Sequence, residues 1–550
     1  MNRKLKASTV LIFLIPSIAF TQINTNKSSS QKPKLIIGLV VDQMRWDYLY
    51  RYQELYSDSG FKKLLNRGFS CENTMIPYTP TVTAAGHTCI YTGSVPAIHG
   101  IVANDWVERE TGELMYCTKD TSVMPVGSSS LKEGQMSPRN MLTNTIGDEL
   151  RLATNFNSKV IGIALKDRGG ILPAGHSANA AYWFDNKTGK WITSTYYAKE
   201  LPAWVQQFNN RNLPDSLMRT DWNLLYDKSK YYQSTDDDMP YERLLETDKR
   251  RVFPHKYQSV IGSNNYDPFR ASPFGNTYTL EFAKEIILNE KMGMGNAPDM
   301  LCISLSSTDY IGHRFGPNSL EEEDTYLRLD KEIATFLTYL DSSIGENNYL
   351  LFLTADHGSP QIAEFLKEKK YFTAGSLNSN TVVKNINQLC KEKYGVDAVV
   401  KKVYDFQLYL NNKIVDAAGL NRRELKKFMV DYLKSNPAVW NAYDVDDFAQ
   451  VSLPAVIREK ISNSYYFRRS GDIQYFYKPQ YTDYTTDGLE HGVWNPYDSH
   501  IPLIFYGWNI KQGKLYREIS MTDIAATLAA MLQIQMPNGC IGKVITEVMK

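Results

Sequence analysis

Short apolar runs that end at charged or imidazole side chains recur along this chain, and they constrain its fold more than any other feature. The runs are five to seven residues long and rich in β-branched side chains. Continuous apolar runs of this length are typical of strands buried on both faces, as in a parallel sheet covered by helices. They are "LIIGLVVDQ", "VIGIALKDR", "MLCISLSSTDYIGH", "YLLFLTADHG" and "IPLIFYG".

Helical patterns lie between these runs, and the alternation predicts an α/β fold. The clearest are "EEEDTYLRLDKEIATFLTYLDSSI" and "MTDIAATLAAMLQI". We therefore expect a large, mostly parallel sheet covered by helices on both faces. Residues 186–270 and 370–485 lack the alternation, and we expect two insertions that form a partial cap. Within the second, "AVVKKVYDFQLYLNN" predicts a hairpin and "NRRELKKFMVDYLKSNP" predicts a helix.

The N-terminus predicts export. Three basic residues precede the apolar run "STVLIFLIPSIAF", a pattern typical of a cleaved signal peptide, with an N-terminal anchor as the alternative. We expect a signal peptide over residues 1–21, a linker over 22–33 and an α/β domain over 34–550, in the periplasm or secreted. A length of 550 residues fits one large domain with insertions.

Composition excludes several classes of partner. The chain has 43% hydrophobic and 22% charged residues and a formal net charge of +1, which are values of a soluble globular protein without a nucleic-acid surface. We expect no nucleic acid, no membrane partner and a monomer. Six cysteines permit disulfides in an exported chain but do not fix their pairing, and no CxxC spacing predicts a thiolate metal site.

The polar residues at the strand ends predict a shared site, because ligands of such sheets bind beyond the carboxyl ends of the strands. Asp309 and His313 are four apart, and they share one face if "TDYIGH" opens a helix. His491 lies in the Gly-flanked loop "EHGVW". The other candidates are Asp42, Lys166, Arg168, Asp356 and His357.

Three carboxylates and three imidazoles in this set predict a metal site. Imidazole with carboxylate suits zinc, and manganese or iron are alternatives. Six protein ligands are enough for two ions at three each, which leaves coordination positions open for a substrate and marks a catalytic site.

A hydroxyl-rich stretch offers a nucleophile. Residues 73–93, "NTMIPYTPTVTAAGHTCIYTG", contain six threonines. These hydroxyls are either turn and cap groups or include one that attacks a substrate. The pattern alone leaves Thr79, Thr81 and Thr83 open.

Several of these motifs together resemble the alkaline phosphatase superfamily, most closely the phosphate-irrepressible periplasmic alkaline phosphatases of Bacteroidetes-type bacteria. The resemblance spans residues from about 35 to 510 in the family's order. The matching pieces are "VVDQMRWDYL", "NTMIPYTPTVTAAGHTCIYTGSVPAIHGIVANDW", "ALKDRGGILPAGH", "SSTDYIGHRFGP", "TADHG" and "EHGVWNPYDSHIPLIFYG".

The resemblance implies a phosphate monoester hydrolase that acts on small molecules and releases inorganic phosphate through a phospho-threonine. It implies two zinc ions about 4 Å apart. One would be held by Asp309, His313 and His491, and the other by Asp42, Asp356, His357 and the oxygen of the nucleophile. "TPTVTAAGH" matches the family's nucleophile turn, which selects Thr83.

The resemblance further implies that Asn104, Lys166 and Arg168 contact the phosphoryl oxygens. Lys166 and Arg168, two apart in extended chain, would point to the same side. Arg168 can grip two oxygens at once, while Lys166 adds a point charge.

Other activities of the superfamily fit less well. Sulfatases carry a C/S-x-P-x-R turn where this chain has "TVTAAGH", and phosphoglycerate mutases use a serine and are usually cytoplasmic. Nucleotide pyrophosphatase/phosphodiesterases share the threonine and Asn104 but lack the "KDR" pair, so diesterase is the alternative activity. A secreted binding module with structural metals is the alternative outside enzymes. We expect no magnesium site, and structural or supporting roles for His87 and His99.

Overall fold

The computed structural model describes residues 32–483 and 487–550, and a ten-stranded mixed sheet runs through it. Five adjacent parallel strands form the centre of the sheet, in the order β5-β1-β4-β2-β3. Every residue in them is buried, so the apolar runs are strands covered on both faces, as predicted. They are β1 (Leu35–Val41), β2 (Val160–Ala164), β3 (Ala180–Asp185), β4 (Asp299–Leu305) and β5 (Tyr349–Thr354).

Antiparallel pairs flank this centre. The run "IPLIFYG" forms β6 (Leu503–Gly507), which is antiparallel to β5, with Leu503 opposite Thr354. The fifth apolar run therefore differs from the parallel arrangement of the other four, because the chain enters β6 at the edge where β5 ends. The other strands of the sheet are Phe69–Cys71, Pro125–Val126, Lys190–Ser194 and Gly513–Leu515.

Helices flank the sheet, and all the predicted helical segments are confirmed. Four are used below: α1 (Thr83–Thr92), α2 (Asp167–Ala174), α3 (Ser307–Phe315) and α4 (Leu320–Ser343). The other helices of eight or more residues are Ile146–Ala153, Ala203–Asn210, Phe274–Asn289, Ser379–Tyr394, Arg422–Ser435, Ala455–Ser464 and Asp523–Leu532. Shorter α-helices are Tyr48–Arg51, Phe61–Arg67, Pro96–His99, Leu131–Gly134, Leu213–Met218, Asp267–Arg270, Ala363–Glu368, Asn412–Ala417 and Pro496–Ser499.

A second sheet of four antiparallel strands lies within the later insertion. Its strands, in spatial order, are Val400–Tyr404, Gln407–Leu410, Ile473–Tyr477 and Val439–Asp444. The first two form the predicted hairpin. Its two turn residues, Asp405 and Phe406, both have positive φ, as the tight turn that suits hairpin twist requires. Helices Ser379–Tyr394 and Arg422–Ser435 share an apolar core with this sheet.

Short strands form three small sheets elsewhere. The hairpin pair Asp105–Val107 and Leu114–Tyr116 is one of them. The others comprise Thr74–Met75, His500–Ile501 and Ile519–Ser520 in one sheet, and Gly375–Ser376 with Tyr481–Thr482 in the other.

Residues Pro33–Lys550 form one compact unit. All six cysteines are free thiols, so the disulfides that the even count permits do not occur here. In the part of the chain that the structure describes, every helix is too short or too polar to cross a bilayer. The predicted signal peptide, residues 1–21, and nearly all of the linker, 22–33, lie outside the described residues.

A buried ion-pair network ties the 186–270 segment to the helices behind the strand ends. His255 Nδ1 lies 2.6 Å from Asp248 Oδ2, and its Nε2 lies 3.0 Å from Glu321 Oε1 in the first turn of α4. Burial opposes the charged imidazole, but the two carboxylates outweigh it and raise the pKa of His255 to about 9. The imidazolium therefore stabilises the folded state.

This network predicts a pH-dependent contribution to stability. Because the folded pKa of His255 is raised from 6.5 to about 9, its stabilisation is complete below pH 6.5 and is lost as pH rises through 9. A shift of this size corresponds to about 3 kcal/mol. We expect His255→Gln to lower the urea midpoint most at pH 6 and progressively less toward pH 9.5. His176→Gln is the control, and a midpoint difference that stays constant with pH would contradict the prediction.

Candidate functional site

The carboxyl edge of the central strands gathers most of the predicted site residues. Asp42 directly follows β1, and Asp356 and His357 follow β5. Asp309 lies in the first turn of α3, just after β4. Because β1 lies between β4 and β5, these three strands deliver three carboxylates to one point, and all three are buried.

Asp309 is the centre of the arrangement. Its Oδ1 lies 3.3 Å from His313 Nε2, 3.6 Å from His491 Nε2 and 3.9 Å from His357 Nε2. Two sets of side chains have ligand atoms that all lie within 4.8 Å of one another: Asp309, His313 and His491 form one, and Asp42, Asp309 and His357 form the other. The first set is the predicted triad, whereas the second contains Asp309 where Asp356 was expected.

Hydrogen bonds fix the orientation of the three imidazoles. Each ring places Nδ1 beside a backbone carbonyl, to which only an N–H can donate, so Nε2 presents its lone pair to the carboxylates in the neutral ring. Burial lowers the pKa of His357 to about 3, which favours that neutral form. His313 differs, because burial would lower its pKa but the Asp309 carboxylate outweighs burial and raises the pKa to about 9. The pairs are His313 with Leu489 O at 2.8 Å, His491 with Thr81 O at 2.8 Å and His357 with Gly358 O at 3.0 Å.

Unpartnered polar atoms show that these residues fit a metal. Asp42 Oδ1, Asp356 Oδ2 and His357 Nε2 are buried and have no hydrogen-bond partner among the described residues. Buried polar atoms are normally satisfied, so three orphans within one cluster require an additional partner. Carboxylate oxygens and imidazole nitrogens that converge without a donor are a donor set for a divalent cation.

The two carboxylate oxygens of Asp356 have different surroundings. Its Oδ1 accepts hydrogen bonds from the backbone N–H groups of Gln43 and His357, each at 3.1 Å. Its Oδ2 lies 3.4 Å from His357 Nε2 and 3.2 Å from His87 Nδ1. The carboxylate is thus adjacent to the second set of ligands, but the structure does not place it among the atoms of that set.

Lys166 supplies positive charge between two of the carboxylates. Its Nζ lies 2.7 Å from Asp42 Oδ2 and 2.5 Å from Asp309 Oδ2. Burial would lower the pKa of Lys166, but Asp309 and Asp42 outweigh it and raise the pKa above its ordinary value. Burial raises the pKa of Asp42, and the neighbouring Asp356 carboxylate adds to the rise. One ammonium does not compensate three carboxylates.

The three candidate threonine hydroxyls have different surroundings. Thr79 Oγ1 donates to Gly492 O at 3.2 Å, and Thr81 Oγ1 donates to Val493 O at 3.1 Å, so both are used to hold the loop that carries His491. Thr83 is the first residue of α1, and its Oγ1 accepts from Lys166 Nζ at 3.4 Å. Among these three, Thr83 is the hydroxyl that faces the charged cluster.

Asn104 lies beside the start of α1. Its Oδ1 accepts the backbone N–H of Ala84 at 3.0 Å, an interaction that caps α1 and leaves the amide nitrogen of Asn104 as the donor of this side chain. The Asn104 Nδ2–H group is thus available to an oxygen bound at the N-terminus of α1.

Arg168 and Lys166 both line a cavity of about 580 Å³. The two side chains share this cavity, but the backbone conformation that brings them there differs from the predicted one. Lys166, the N-cap of α2, has extended backbone, but Arg168 lies in the first turn of the helix, so the two residues do not share one extended segment. Helix geometry, rather than strand alternation, directs Arg168 into the cavity, where its Nη1 donates to Tyr116 Oη at 3.1 Å.

Sequence analysis did not identify Gln43 as a site residue, and it gave His87 only a structural or supporting role. Gln43 has a φ of 66° and donates from Nε2 to Asp309 Oδ1 at 2.9 Å, while its backbone N–H donates to Asp356. His87 Nε2 lies 2.8 Å from Ser304 Oγ, and its Nδ1 lies 2.9 Å from Thr83 O, so protein groups engage both ring nitrogens. Asp356 Oδ2 is 3.2 Å from the same Nδ1. His87 thus lies between Asp356 and the first residue of α1, and its structural or supporting role stays a prediction. The signal for Gln43 was its position directly after a strand-end aspartate.

Comparisons with known proteins agree on one family. The sequence profile described as "Type I phosphodiesterase / nucleotide pyrophosphatase" matches residues 36–498. A Myroides odoratus protein named "Calcium-transporting ATPase" is 49% identical, over 98% of this chain and 98% of its own. "Alkaline phosphatase PhoV" of Synechococcus elongatus is 48% identical, over 94% of this chain and 93% of its own. A crystal structure of alkaline phosphatase PafA is similar with a TM-score of 0.92 and 47% identity, over 94% of this chain and 99% of that one.

The position of Gln43 predicts a role in metal affinity. Gln43→Asn tolerates the positive φ but is one methylene too short to reach Asp309. Loss of such a supporting hydrogen bond typically lowers metal affinity about 10–100-fold. We expect this loss in metal content, measured by atomic emission after dialysis against graded chelator. Gln53→Asn, at an exposed position, is the control, and equal metal retention by the Gln43 variant would contradict the prediction.

Proposed function

Because this chain belongs to the type I phosphodiesterase / nucleotide pyrophosphatase family, within the alkaline phosphatase superfamily, we infer that it is an alkaline phosphatase that hydrolyses phosphate monoesters and releases inorganic phosphate. Relatives named alkaline phosphatase cover nearly the whole chain at 47–48% identity. The observation that carries the inference is the meeting of Thr83, Lys166 and the carboxylate–imidazole cluster at one sheet edge.

Thr83 is the proposed nucleophile. A free threonine hydroxyl is a weak nucleophile near neutral pH, so its oxygen needs positive charge nearby before it can attack phosphorus. Lys166 Nζ at 3.4 Å and the N-terminus of α1 both provide such charge. The hydroxyls of Thr79 and Thr81 are committed to backbone carbonyls, which supports the choice of Thr83.

Two zinc ions are the proposed cofactors. One proposed set of ligands is Asp309, His313 and His491, whose ligand atoms all lie within 4.8 Å of one another. The other proposed set is Asp42, Asp356 and His357 with the Thr83 oxygen. Within it, His357 Nε2 lies 3.5 Å from Asp42 Oδ1 and 3.4 Å from Asp356 Oδ2. When bound, such a pair of cations stabilises a threonine alkoxide and the charge on the departing oxygen. The orphaned buried oxygens of Asp42 and Asp356 and the orphaned nitrogen of His357 support this assignment.

Asn104, Lys166 and Arg168 are the proposed phosphoryl-binding side chains. The amide of Asn104 and the guanidinium of Arg168 donate hydrogen bonds to non-bridging oxygens, and the Lys166 ammonium contributes charge. These groups offer two cations for oxygens that are ionised in a monoester, whereas a diester replaces one such oxygen with a bulky ester group. The two cations thus favour monoesters, and diester hydrolysis, to which the family profile's description refers, is the alternative.

The reaction has two displacements at phosphorus. In the first, the Thr83 oxygen forms a bond to phosphorus, the ester P–O bond breaks, and the alcohol leaves with a proton. In the second, water attacks phospho-Thr83, the bond to the threonine oxygen breaks, and inorganic phosphate and the free hydroxyl result. Asn104, Lys166 and Arg168 hold the same non-bridging oxygens through both displacements, so the phosphoryl group is positioned once.

Cellular context belongs to the same proposal. Export to the periplasm or the exterior rests on residues 1–21, and the substrates are small-molecule phosphate monoesters encountered there by a monomeric enzyme. The Myroides relative is named for ATP hydrolysis, which also transfers a phosphoryl group to water, so ATP belongs in any panel of test substrates.

The nucleophile is tested by Thr83→Ala. We expect wild type to prefer p-nitrophenyl phosphate over bis(p-nitrophenyl) phosphate and p-nitrophenyl sulfate at alkaline pH, and the variant to lose at least about 10³-fold in kcat for the monoester, since the covalent step is removed. Wild type quenched in acid during turnover should yield a peptide phosphorylated at Thr83. Thr81→Ala is the control, and undiminished turnover of the Thr83 variant would transfer the role to Thr79 or Thr81.

The cofactor assignment is tested by diffraction and by chelation. Zinc-edge anomalous maps of active enzyme should show two peaks, one beside His313 and His491 and one beside Asp42 and His357. Chelator should abolish monoester hydrolysis, and added zinc should restore it. A single peak, or activity that withstands complete metal removal, would refute the two-ion site.

A further inference from the structure

We infer that Tyr116, anchored by Asp167, is a positioning residue that aims Arg168 at the phosphoryl oxygens and thereby contributes to the preference for monoesters. This inference rests on the proposed function, because it assumes that Arg168 contacts the substrate. It adds two residues to which the strand-end pattern gave no role in binding.

The Tyr116 hydroxyl lies between the two side chains that open α2. It accepts a hydrogen bond from Arg168 Nη1 at 3.1 Å and donates one to Asp167 Oδ1 at 2.7 Å. The other Asp167 oxygen accepts from the buried hydroxyl of Thr118. Both functions of the phenol, donor and acceptor, are thus fixed, and its orientation cannot change without loss of a hydrogen bond.

The backbone links Tyr116 to Asn104. Tyr116 lies opposite Asp105, the residue after Asn104, in the hairpin pair Asp105–Val107 and Leu114–Tyr116. Immediately after Tyr116, the N–H of Cys117 donates to Asn104 O at 2.9 Å. One short hairpin therefore holds both the Asn104 amide and the anchor of Arg168, so the spacing between two phosphoryl-binding groups is set by paired backbone.

The hydrogen bond from Nη1 leaves the opposite edge of the guanidinium free. Arg168 Nε is buried and has no hydrogen-bond partner among the residues that the structure describes. The edge formed by Nε and Nη2 is the one that grips two oxygens in parallel. An arginine side chain carries about 2 kcal/mol of rotamer entropy, so a tether at Nη1 reduces what is lost when that edge binds an oxyanion.

This geometry acts on specificity because the second charged oxygen distinguishes a monoester from a diester. A guanidinium held at a fixed angle can bind two ionised oxygens of a monoester at once. A diester presents only one ionised oxygen beside Asn104 and Lys166, so the orientation of Arg168 matters less to it. Loss of the tether is therefore expected to affect monoesters selectively.

The test compares Tyr116→Phe with wild type on p-nitrophenyl phosphate and bis(p-nitrophenyl) phosphate. We expect kcat/KM for the monoester to fall about tenfold, as for loss of a hydrogen bond to a charged group, and kcat/KM for the diester to fall less than about threefold. The inhibition constant of inorganic phosphate should rise in step with the monoester loss. Tyr266→Phe is the matched control, since its hydroxyl donates to Asp215 at 2.9 Å and lies outside the cavity.

A double-mutant cycle separates positioning from structure. In an Arg168→Ala background, Tyr116→Phe should cause no further loss, because the group it aims is gone. A Tyr116→Phe effect that is equal for both substrates, or that persists without Arg168, would overturn the inference. If Arg168→Ala itself left monoester hydrolysis unchanged, the proposed role of Arg168 would fail first; if only Tyr116→Phe had no effect, the inference alone would fail.

Asp167→Asn provides a second variant in case Tyr116→Phe folds poorly, as judged by its thermal midpoint. The amide keeps the shape of the side chain but weakens the anchor of the Tyr116 hydroxyl. We expect a smaller loss with the same selectivity for the monoester. A loss equal for monoester and diester in this variant would likewise overturn the inference.

Discussion

The structure depends on one constraint: three carboxylates lie close together in the buried interior. Asp42, Asp309 and Asp356 are buried at the ends of adjacent strands whose backbones are locked by apolar packing, so they cannot move apart to relieve their repulsion. Three neighbouring groups supply positive charge or a hydrogen-bond donor: the Lys166 ammonium, the Gln43 amide and the N-terminus of α1. The strand pattern that forms the sheet also brings the three carboxylates together, and their negative charge requires cations nearby.

Much of the fold and of the candidate site could be predicted from local sequence patterns, because strand ends and helix faces are determined by residues that are close in sequence. The apolar runs gave the central strands, and their polar termini gave Asp42, Lys166 and Asp309. What could not be predicted depends on contacts between distant segments. Gln43 directly follows a strand-end aspartate, but its role becomes clear only from its hydrogen bond to Asp309, 266 residues further along the chain. The helix that begins at Asp167 contains Gly169 and Gly170, each of which disfavours helix formation by about 1 kcal/mol. Helix propensity therefore did not predict this helix, which forms because it packs against β2.

The shared sheet explains how one family can include both diester and monoester chemistry. The strands fix the side chains proposed to bind metal, whereas the groups proposed to contact the non-bridging oxygens come from connecting segments. Asn104 comes from the turn before a hairpin, and Lys166 and Arg168 come from the start of α2. Connecting segments can change without disturbing the buried strands. Selectivity between ester classes is therefore set by how a few donors are presented, and the cavity beside Lys166 and Arg168 is bounded by these same segments.

The late position of β6 in the chain has a consequence for how the molecule folds. The chain reaches His491 only after the second sheet is complete, and then returns through β6 along β5, so the proposed ligand set spans Asp42 to His491. Contacts so remote in sequence form late, after long loops have closed. A nascent chain that lacks its last sixth has the central strands but not the imidazole that completes the Asp309 triad. The full set of side chains proposed to hold the ion of that triad therefore exists only in a chain that is almost complete, and a chain interrupted before His491 lacks it.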